Sequence, residues 1–315
     1  MRMKIGRAKA YEFLKSHENF LLIGHVHPDG DDVGSMTALR NVLLAMGKKA
    51  DAVLEDPVPA YLSFIPSTSA IMTEIPVGAS YDAMIFTDLA NIERGGDFVF
   101  PKVDSLCIDH HETNAGYTDL LWLEADYAAT AEMLAELFFA YDLPMNEDAV
   151  NALYMGIGTD SGFFKYSNTS AHTLLMASKL VEAGARPAFI SNHLDVVSKK
   201  TMEVSRRVAD TLFYAYDGKL AFATMDAESM ALDGENADYY VDIPRYVEGV
   251  ELAVLLKYET ESRTRVSFRS REYADTAKLA AEFGGGGHNR AAGCTISASI
   301  EDAKAQIIEK AAKYL

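Results

Sequence analysis

Two histidines and three aspartates lie within eight residues near the N-terminus, in the segment GHVHPDGDDVGS at 24–35. Four of these residues share parity: His25, His27, Asp29 and Asp31. An extended segment would direct their side chains to one side. Carboxylates on one side repel each other unless a cation lies between them, and a divalent metal accepts both oxygen and imidazole ligands. The alternative is that an aspartate only caps the next helix or favours its first turn, which is our interpretation of Asp32.

Further acidic and histidine residues follow later apolar runs. Asp88 ends YDAMIFTD (81–88), the triplet Asp109, His110 and His111 ends VDSLCIDHH (103–111), and Asp160 lies in GTDSG. A single such residue is more often a helix cap or a core side chain with satisfied hydrogen bonds. Four clusters at successive strand or helix ends are harder to explain in that way, so the pattern favours a metal site.

The apolar runs around these clusters alternate between two periodicities. We predict strands at 20–25, 49–55, 81–88 and 103–111, and helices at 33–46, 129–142 and 147–162. Such alternation is typical of an α/β fold with a mostly parallel sheet and flanking helices. Ligand sites in these sheets lie beyond the carboxyl ends of the strands, where the clusters are found.

Composition and charge narrow the class of protein. The chain has 315 residues, of which 49% are apolar, and this indicates a globular protein of about two domains. A net charge of −17 is poorly suited to duplex nucleic acid, which is bound mainly by neutralising phosphates. No apolar run approaches the roughly 20 residues of a membrane span, and the N-terminus has no signal-peptide pattern. We expect a cytoplasmic protein with no membrane partner.

The C-terminal part of the sequence offers a local concentration of positive charge. We expect domains at 1–190 and 199–315, joined by a linker at 191–198. In the second domain, RTRVSFRSR carries four odd-numbered arginines, Arg263, Arg265, Arg269 and Arg271. They share one face of a strand. This face is either a solvated sheet edge or a clamp for phosphates and bases, which guanidinium groups bind well.

A glycine run follows in the segment GGGGHNRAAG at 284–293. It is either a flexible linker or a loop whose backbone amides approach a bound nucleotide closely.

The ordered motifs HVHPDGD, TD (87–88), DHH (109–111) and GTDSG resemble those of the DHH phosphoesterase superfamily, and GGGGHNRAAG resembles the signature of its DHHA1 domain. The resemblance spans nearly the whole chain. It implies a metal-binding catalytic DHH domain, a smaller α/β DHHA1 domain that binds substrate, and an active site in the cleft between them. The two-domain layout is similar to that of nanoRNases and pAp phosphatases.

The resemblance also implies a role for each motif residue. Two divalent metal ions, expected to be Mn²⁺, would have the ligands His25 and Asp29 for one ion, Asp31, His110 and Asp160 for the other, and Asp88 as the bridge. His111 would lie near the substrate phosphate and Asp109 would orient its histidine neighbour, so Asp88, Asp109 and His111 are the expected catalytic residues. The substrate contacts would be Arg269, Ser270, Gly284, Gly285, Gly286, Gly287 and His288, with Asn289 and Arg290 as weaker candidates.

Two residues of the first motif depart from the family pattern. Relatives commonly carry asparagine at the position of His27, and many carry alanine at that of Asp32. Parity alone does not exclude His27 as a metal ligand; only the resemblance does.

The activity implied is metal-dependent hydrolysis of short oligoribonucleotides to mononucleotides, together with removal of a phosphate from 3′-phosphoadenosine 5′-phosphate (pAp). Enzymes specific for cyclic dinucleotides or their linear products are the alternative, and a nucleotide sensor without turnover is the non-enzymatic one. A long-strand exonuclease of the RecJ type and a manganese pyrophosphatase fit less well, because the chain is short and acidic and carries the glycine signature. A homodimer is compatible with the sequence.

Overall fold

The computed structural model describes residues 3–315 of the chain. They form two compact units that divide between Val196 and Val197. The acidic and histidine clusters all precede this division, and the arginine strand and the glycine run follow it. Among the described helices, none has both the length and the apolar character needed to cross a membrane.

The first unit is built on one parallel sheet. Its strands are β1 (Met3–Ile5), β2 (Asn19–Ile23), β3 (Lys49–Val53), β4 (Ile71–Met72), β5 (Ala83–Thr87), β6 (Asp104–Asp109) and β7 (Leu120–Leu123). Their order is β1-β7-β6-β5-β2-β3-β4, and every described pairing is parallel. Strand β5 is buried at every residue, as expected where helices and loops cover both faces of a sheet. The predicted α/β fold is confirmed.

The described part of this unit contains six α-helices: α1 (Arg7–Ser16), α2 (Gly30–Ala45), α3 (Thr130–Ala140), α4 (Glu147–Asp160), α5 (Ala171–Glu182) and α6 (Pro187–Leu194). Helix α2 has 13 buried residues among its 16, so it is an interior helix rather than an amphipathic one. It lies close to α4 at Gly34, where an added Cβ would come within 2.5 Å of the Ala152 carbonyl oxygen. The helix that begins at the acidic loop is therefore held rigidly.

The observed boundaries differ from the predicted ones at the positions that carry the clusters. Strand β2 ends at Ile23, and β6 ends at Asp109, so His110 and His111 lie beyond the strand. Helix α2 begins at Gly30 because the Asp29 side chain accepts the first backbone N–H groups of the helix. His25 and Asp29 thus lie in the loop after β2, His110 and His111 lie in the loop after β6, and Asp31 and Asp32 lie in the first turn of α2.

The second unit has a mixed six-stranded sheet. Its strands are β8 (Phe213–Ala215), β9 (Leu220–Met225), β10 (Leu252–Thr260), β11 (Arg263–Ser270), β12 (Gly286–Gly287) and β13 (Ala291–Ile296). They lie in the order β12-β13-β11-β10-β9-β8, and in this sheet the β9–β10 pairing is parallel while the other pairings are antiparallel. Its helices are α7 (Lys199–Ala209), α8 (Ala227–Asp233), α9 (Asp242–Arg245), α10 (Thr276–Ala281) and α11 (Ile300–Ala311).

Alternation along β11 separates apolar from basic side chains. Val266 and Phe268 are buried in one core cluster with residues of α10 and α11. Arg265, Ser267 and Arg269 have the opposite parity and therefore project from the other face of the sheet. The predicted one-sided arrangement of polar residues follows from this alternation.

Candidate metal centre and C-terminal cavity

Three neighbouring strands carry the polar clusters in the first unit. Strand β5 lies between β2 and β6, and the three run parallel. Their carboxyl ends therefore lie side by side, and the loops that follow them bring together residues distant in the sequence. Asp160, the last residue of α4, joins the same place.

The first side-chain group consists of His25, Asp29 and Asp88 and is called the His25 group below. Its ligand atoms lie within 4.8 Å of one another. His25 Nε2 is 3.6 Å from Asp29 Oδ2 and 3.5 Å from Asp88 Oδ2. The other ring nitrogen, Nδ1, is 2.9 Å from the carbonyl oxygen of Val26. That contact fixes the imidazole with Nε2 toward the carboxylates.

The second side-chain group consists of Asp31, His110 and Asp160 and is called the His110 group. His110 Nε2 lies 3.2 Å from Asp160 Oδ2 and 3.9 Å from Asp31 Oδ2. His110 Nδ1 is 3.2 Å from the carbonyl oxygen of Tyr127. As in the His25 group, one ring nitrogen meets the backbone and the other meets carboxylates.

Asp88 lies at the junction of the two groups. Its Oδ2 faces His25, and its Oδ1 lies 3.5 Å from His110 Nε2. Its backbone is left-handed, with φ of 56°, and its N–H donates to the Ile108 carbonyl. A non-glycine residue in that conformation is strained and persists only where its surroundings impose it. The strain turns the carboxylate toward both groups.

Helix α3 supports Asp31. The backbone N–H groups of Thr130 and Ala131 donate to its carboxylate at 2.6 and 2.8 Å. Thr130 Oγ1 also donates to Asp88 Oδ1 at 3.1 Å. The positive end of α3 thus partly offsets the negative charge of the two aspartates.

The electrostatics of the site call for a cation. Burial opposes charging of His25 and His110, but the surrounding carboxylates outweigh it and raise the pKa values to about 12 and about 11. Burial and the charges of Asp88 and Asp160 raise the pKa of Asp31 well above its usual value. The carboxylates therefore attract positive charge strongly, and their mixture of oxygen and imidazole ligands fits divalent metal ions.

The DHH triplet also holds a hydrogen-bonded chain. His111 Nδ1 is 2.7 Å from Asp109 Oδ1, and Asn114 Nδ2 donates to Asp109 Oδ2 at 2.7 Å. The His111 contact helps to lower the pKa of the Asp109 carboxyl against the opposing effect of burial. Asp109 is completely buried, so within this chain of contacts only His111 lies between it and the site. Asn114 was not predicted, because a lone asparagine three residues after the triplet carries no pattern.

The two departures in the first motif occupy different environments. His27 has a φ of 56°, its side chain is 91% exposed, and its Nδ1 faces Asp56 at 3.3 Å. The left-handed turn breaks the extended geometry on which parity depends, so the structure does not bring His27 to either group. Asp32 is completely buried and accepts the His25 N–H at 3.1 Å, while the cap of α2 is Asp29.

The second unit contains a cavity of about 630 Å³. Its walls include residues 284–287 and 291–295 and five polar side chains: Asp238, Lys257, Arg265, Ser267 and Arg269. The four predicted glycines thus line one cavity with two of the four arginines. The other two lie apart: Arg263 pairs with Glu259 at 2.8 Å, and Arg271 donates to the Arg245 carbonyl.

Two predicted substrate contacts lie away from the cavity walls. Ser270 is buried on the face opposite Arg269, and its hydroxyl faces the Asn289 carbonyl at 3.4 Å. His288 is exposed, and its backbone N–H donates to the Ala291 carbonyl. Among the described residues, Lys257 and Asp238 are cavity residues that were not predicted. A lysine inside the apolar run LLKYE was the available signal for the first.

Comparison with known sequences identifies related proteins. A model of the DHH family, N-terminal domain, matches residues 19–157, and a model of the DHHA1 domain matches residues 217–315. The bifunctional oligoribonuclease and PAP phosphatase NrnA of Thermus thermophilus is 32% identical over 95% of this chain and 91% of its own length. The protein of the same name from Bacillus subtilis is 29% identical over 89% and 90%. These matches confirm the resemblance seen in the motifs.

A solved structure shares the fold. An exopolyphosphatase-related protein from Bacteroides fragilis superposes with a TM-score of 0.89 at 22% identity, covering 97% of this chain and 96% of its own.

Proposed function

Because the chain belongs to the DHH phosphoesterase family and also carries a DHHA1 domain, we propose that it is a two-metal hydrolase of short oligoribonucleotides and of pAp. One observation carries this proposal: six residues distant in the sequence form two adjacent groups, and Asp88 of the His25 group also contacts His110 of the other. Proteins named oligoribonuclease and PAP phosphatase that align over nearly the whole chain support the choice of substrates.

We propose that the His25 group holds one divalent ion, the His110 group holds the other, and Asp88 bridges them. Mn²⁺ is the expected ion, because it accepts mixed imidazole and carboxylate ligation. When bound, the pair would supply Lewis acidity and an activated water for attack on phosphorus.

The remaining residues of the site position the substrate. Asp109 orients His111 through Nδ1, and we propose that the imidazole contacts a phosphate oxygen. Arg265 and Arg269 lie in the basic part of the cavity and would bind a phosphate, since guanidinium groups match phosphate geometry. The glycines at 284–287 let the chain approach a nucleotide closely. The second unit thus contributes substrate binding and the first contributes the chemistry.

A substrate panel tests the proposal. Purified protein with Mn²⁺ would be incubated with linear dinucleotides, longer oligomers, cyclic dinucleotides and pAp, and the released mononucleotide and phosphate measured. We expect turnover of linear dinucleotides and of pAp. Turnover confined to cyclic dinucleotides would replace the proposed substrate class, and no phosphate chemistry on any of them would indicate a nucleotide-binding protein without turnover.

A further inference from the structure

A buried lysine, an aspartate and a serine form a closed triangle at the wall of the C-terminal cavity. Lys257 Nζ lies 2.7 Å from Asp238 Oδ1 and 2.9 Å from Ser267 Oγ. Ser267 Oγ donates to the same Asp238 oxygen at 2.9 Å. Lys257 comes from β10, Ser267 from β11, and Asp238 from the 3₁₀ segment at 234–241.

Stability alone does not account for the triangle. The Lys257 side chain is only 4% exposed. Removing an ammonium group from water carries a desolvation penalty that its ion pair offsets only in part, and apolar residues often serve as well at such a place. Burial and the nearby arginines lower the pKa of Lys257, against the effect of Asp238. A role in ligand binding would account for the buried lysine.

The geometry leaves Asp238 oriented toward the cavity. Within residues 3–315, both donors to this side chain reach Oδ1, and the side chain is 70% exposed. It is also the one acidic side chain among the described cavity walls. Lys257 and Ser267 outweigh the effect of burial and lower the pKa of Asp238 to about 2, so it is ionised at neutral pH. An ionised carboxylate only accepts hydrogen bonds, so its partner on a ligand must be a donor.

The proposed substrates offer three kinds of hydrogen-bond donor: base amino groups, base ring N–H groups and ribose hydroxyls. A phosphate is excluded, because it would be repelled by the carboxylate and attracted by Arg265 and Arg269. The exocyclic amino group is absent from uridine, and a ring N–H is absent from adenosine and cytidine. The 3′-hydroxyl is esterified in pAp and within an oligonucleotide. Every ribonucleotide carries a 2′-hydroxyl next to its phosphate-bearing positions. A hydroxyl common to all four nucleotides suits an enzyme that degrades short RNA of any sequence.

We propose that Asp238 accepts a hydrogen bond from a ribose 2′-hydroxyl and makes the cavity select ribonucleotides over deoxyribonucleotides. The inference rests on the proposed function in that the ligand is taken to be a nucleotide. Lys257 and Ser267 are positioning residues, since they hold Oδ1 and so direct the carboxylate. Arg265 and Arg269 hold the neighbouring phosphate.

Hydrolysis of matched dinucleotides provides the first test. Rates on ApA and dApdA would be compared for the wild type, Asp238→Ala and Glu235→Ala, with Mn²⁺ present. Loss of a hydrogen bond to a charged group lowers the rate or the affinity by about tenfold or more. We expect the wild type to prefer ApA by at least that factor, and Asp238→Ala to bring the ratio near one. Glu235 is an exposed acid on the same segment, outside the cavity walls, so Glu235→Ala should keep the ratio.

Binding separates this inference from the proposed function. Calorimetry with 5′-AMP and 2′-deoxy-5′-AMP measures the same preference without turnover. Ribose preference that depends on Asp238, in a protein that hydrolyses nothing, would uphold the inference and reject the proposed function. Equal binding of the two nucleotides by the wild type, binding of neither, or a preference that survives Asp238→Ala would each overturn the inference.

If Asp238→Ala does not fold, a second variant tests the same inference. The double substitution Asp238→Ala with Lys257→Met removes both charges and leaves no unpaired ammonium. Its ratio of ribose to deoxyribose binding should also lie near one; an unchanged ratio counts against Asp238.

Discussion

At the scale of single residues, substitution of Asp88 is the most direct test of the proposed metal site. Among residues 3–315, Asp88 is the one carboxylate in contact with both His25 and His110, and Asp88→Ala removes it. We expect the rate of hydrolysis of a linear dinucleotide to fall by more than about 100-fold. Substitution of a residue that only hydrogen-bonds to a metal ligand lowers activity by at most about that factor. Circular dichroism should be unchanged. His27→Ala, in the same loop but exposed, is the control. Near-normal turnover of Asp88→Ala with unchanged metal content would falsify the bridging role.

The imidazoles of the site predict that metal affinity depends on pH. The carboxylates raise the pKa of His25 to about 12 and that of His110 to about 11, so without a cation both rings are protonated at neutral pH. A metal binds only the neutral ring, so binding releases a proton from each and strengthens as pH rises. Calorimetry from pH 6 to 9, in buffers of different ionisation enthalpy, should detect this release. Affinity independent of pH would contradict it.

Arg269 and Arg263 form a matched pair for the second unit. Arg269 lines the cavity, whereas Arg263 pairs with Glu259 outside it. Arg269→Ala should raise KM for a linear dinucleotide by about tenfold to 100-fold, since a charged hydrogen bond contributes about 1.5–3 kcal/mol. Arg263→Ala should change KM little. Equal, small effects from both would mean that the cavity does not bind the substrate.

At the scale of elements, the contact between α2 and α4 positions the metal loop. Gly34→Ala would bring a Cβ within 2.5 Å of the Ala152 carbonyl oxygen, and backbone relieves such an overlap only by moving. We expect the free energy of unfolding to fall by about 1–3 kcal/mol, measured in urea.

Gly6→Ala is the control for Gly34→Ala, because an added Cβ at Gly6 meets nothing within 4 Å. Metal affinity should fall in Gly34→Ala alone, since α2 begins beside Asp29 and Asp31. Equal stability of the two variants would show that α2 and α4 adjust without cost.

The elements also show what a single sequence can predict. Long apolar runs such as 81–88 predicted the buried strands, and the polar residues that follow these runs predicted the candidate metal site. The short strands β1, β4 and β7 were not predicted, because two to four residues carry no usable periodicity. Parity misled at His27, since one left-handed residue reverses the direction of a side chain, and nothing local encodes that turn.

Ser270 shows the same limit in the second unit. The family resemblance implied a substrate contact for both Ser270 and Arg269, but neighbours on a strand face opposite sides. Asp238 and Lys257 lie 19 positions apart and meet only through the tertiary structure. Local patterns therefore identify residues that lie on one element, and long-range pairing decides which of them share a site.

At the scale of the whole molecule, charge is unevenly distributed. The chain carries a net charge of −17, yet the cavity of the second unit is lined by three basic side chains and one acidic side chain. A long polyanion would be repelled by the acidic remainder, whereas one or two nucleotides need only the local basic surface. This distribution agrees with a preference for short substrates.

The sequence separation of the six residues in the two groups predicts that the site forms late in folding. His25 and Asp160 lie 135 positions apart, and parallel strands must be aligned before the side chains meet. Native topologies with such high contact order close slowly, so the folding transition state should precede a complete site. Saturating Mn²⁺ would then leave the refolding rate almost unchanged. It would lower the unfolding rate, and this decrease would account for most of the added stability. Stopped-flow chevron plots with and without Mn²⁺ measure both limbs, and faster refolding in Mn²⁺ would place the metal loops in the nucleus instead.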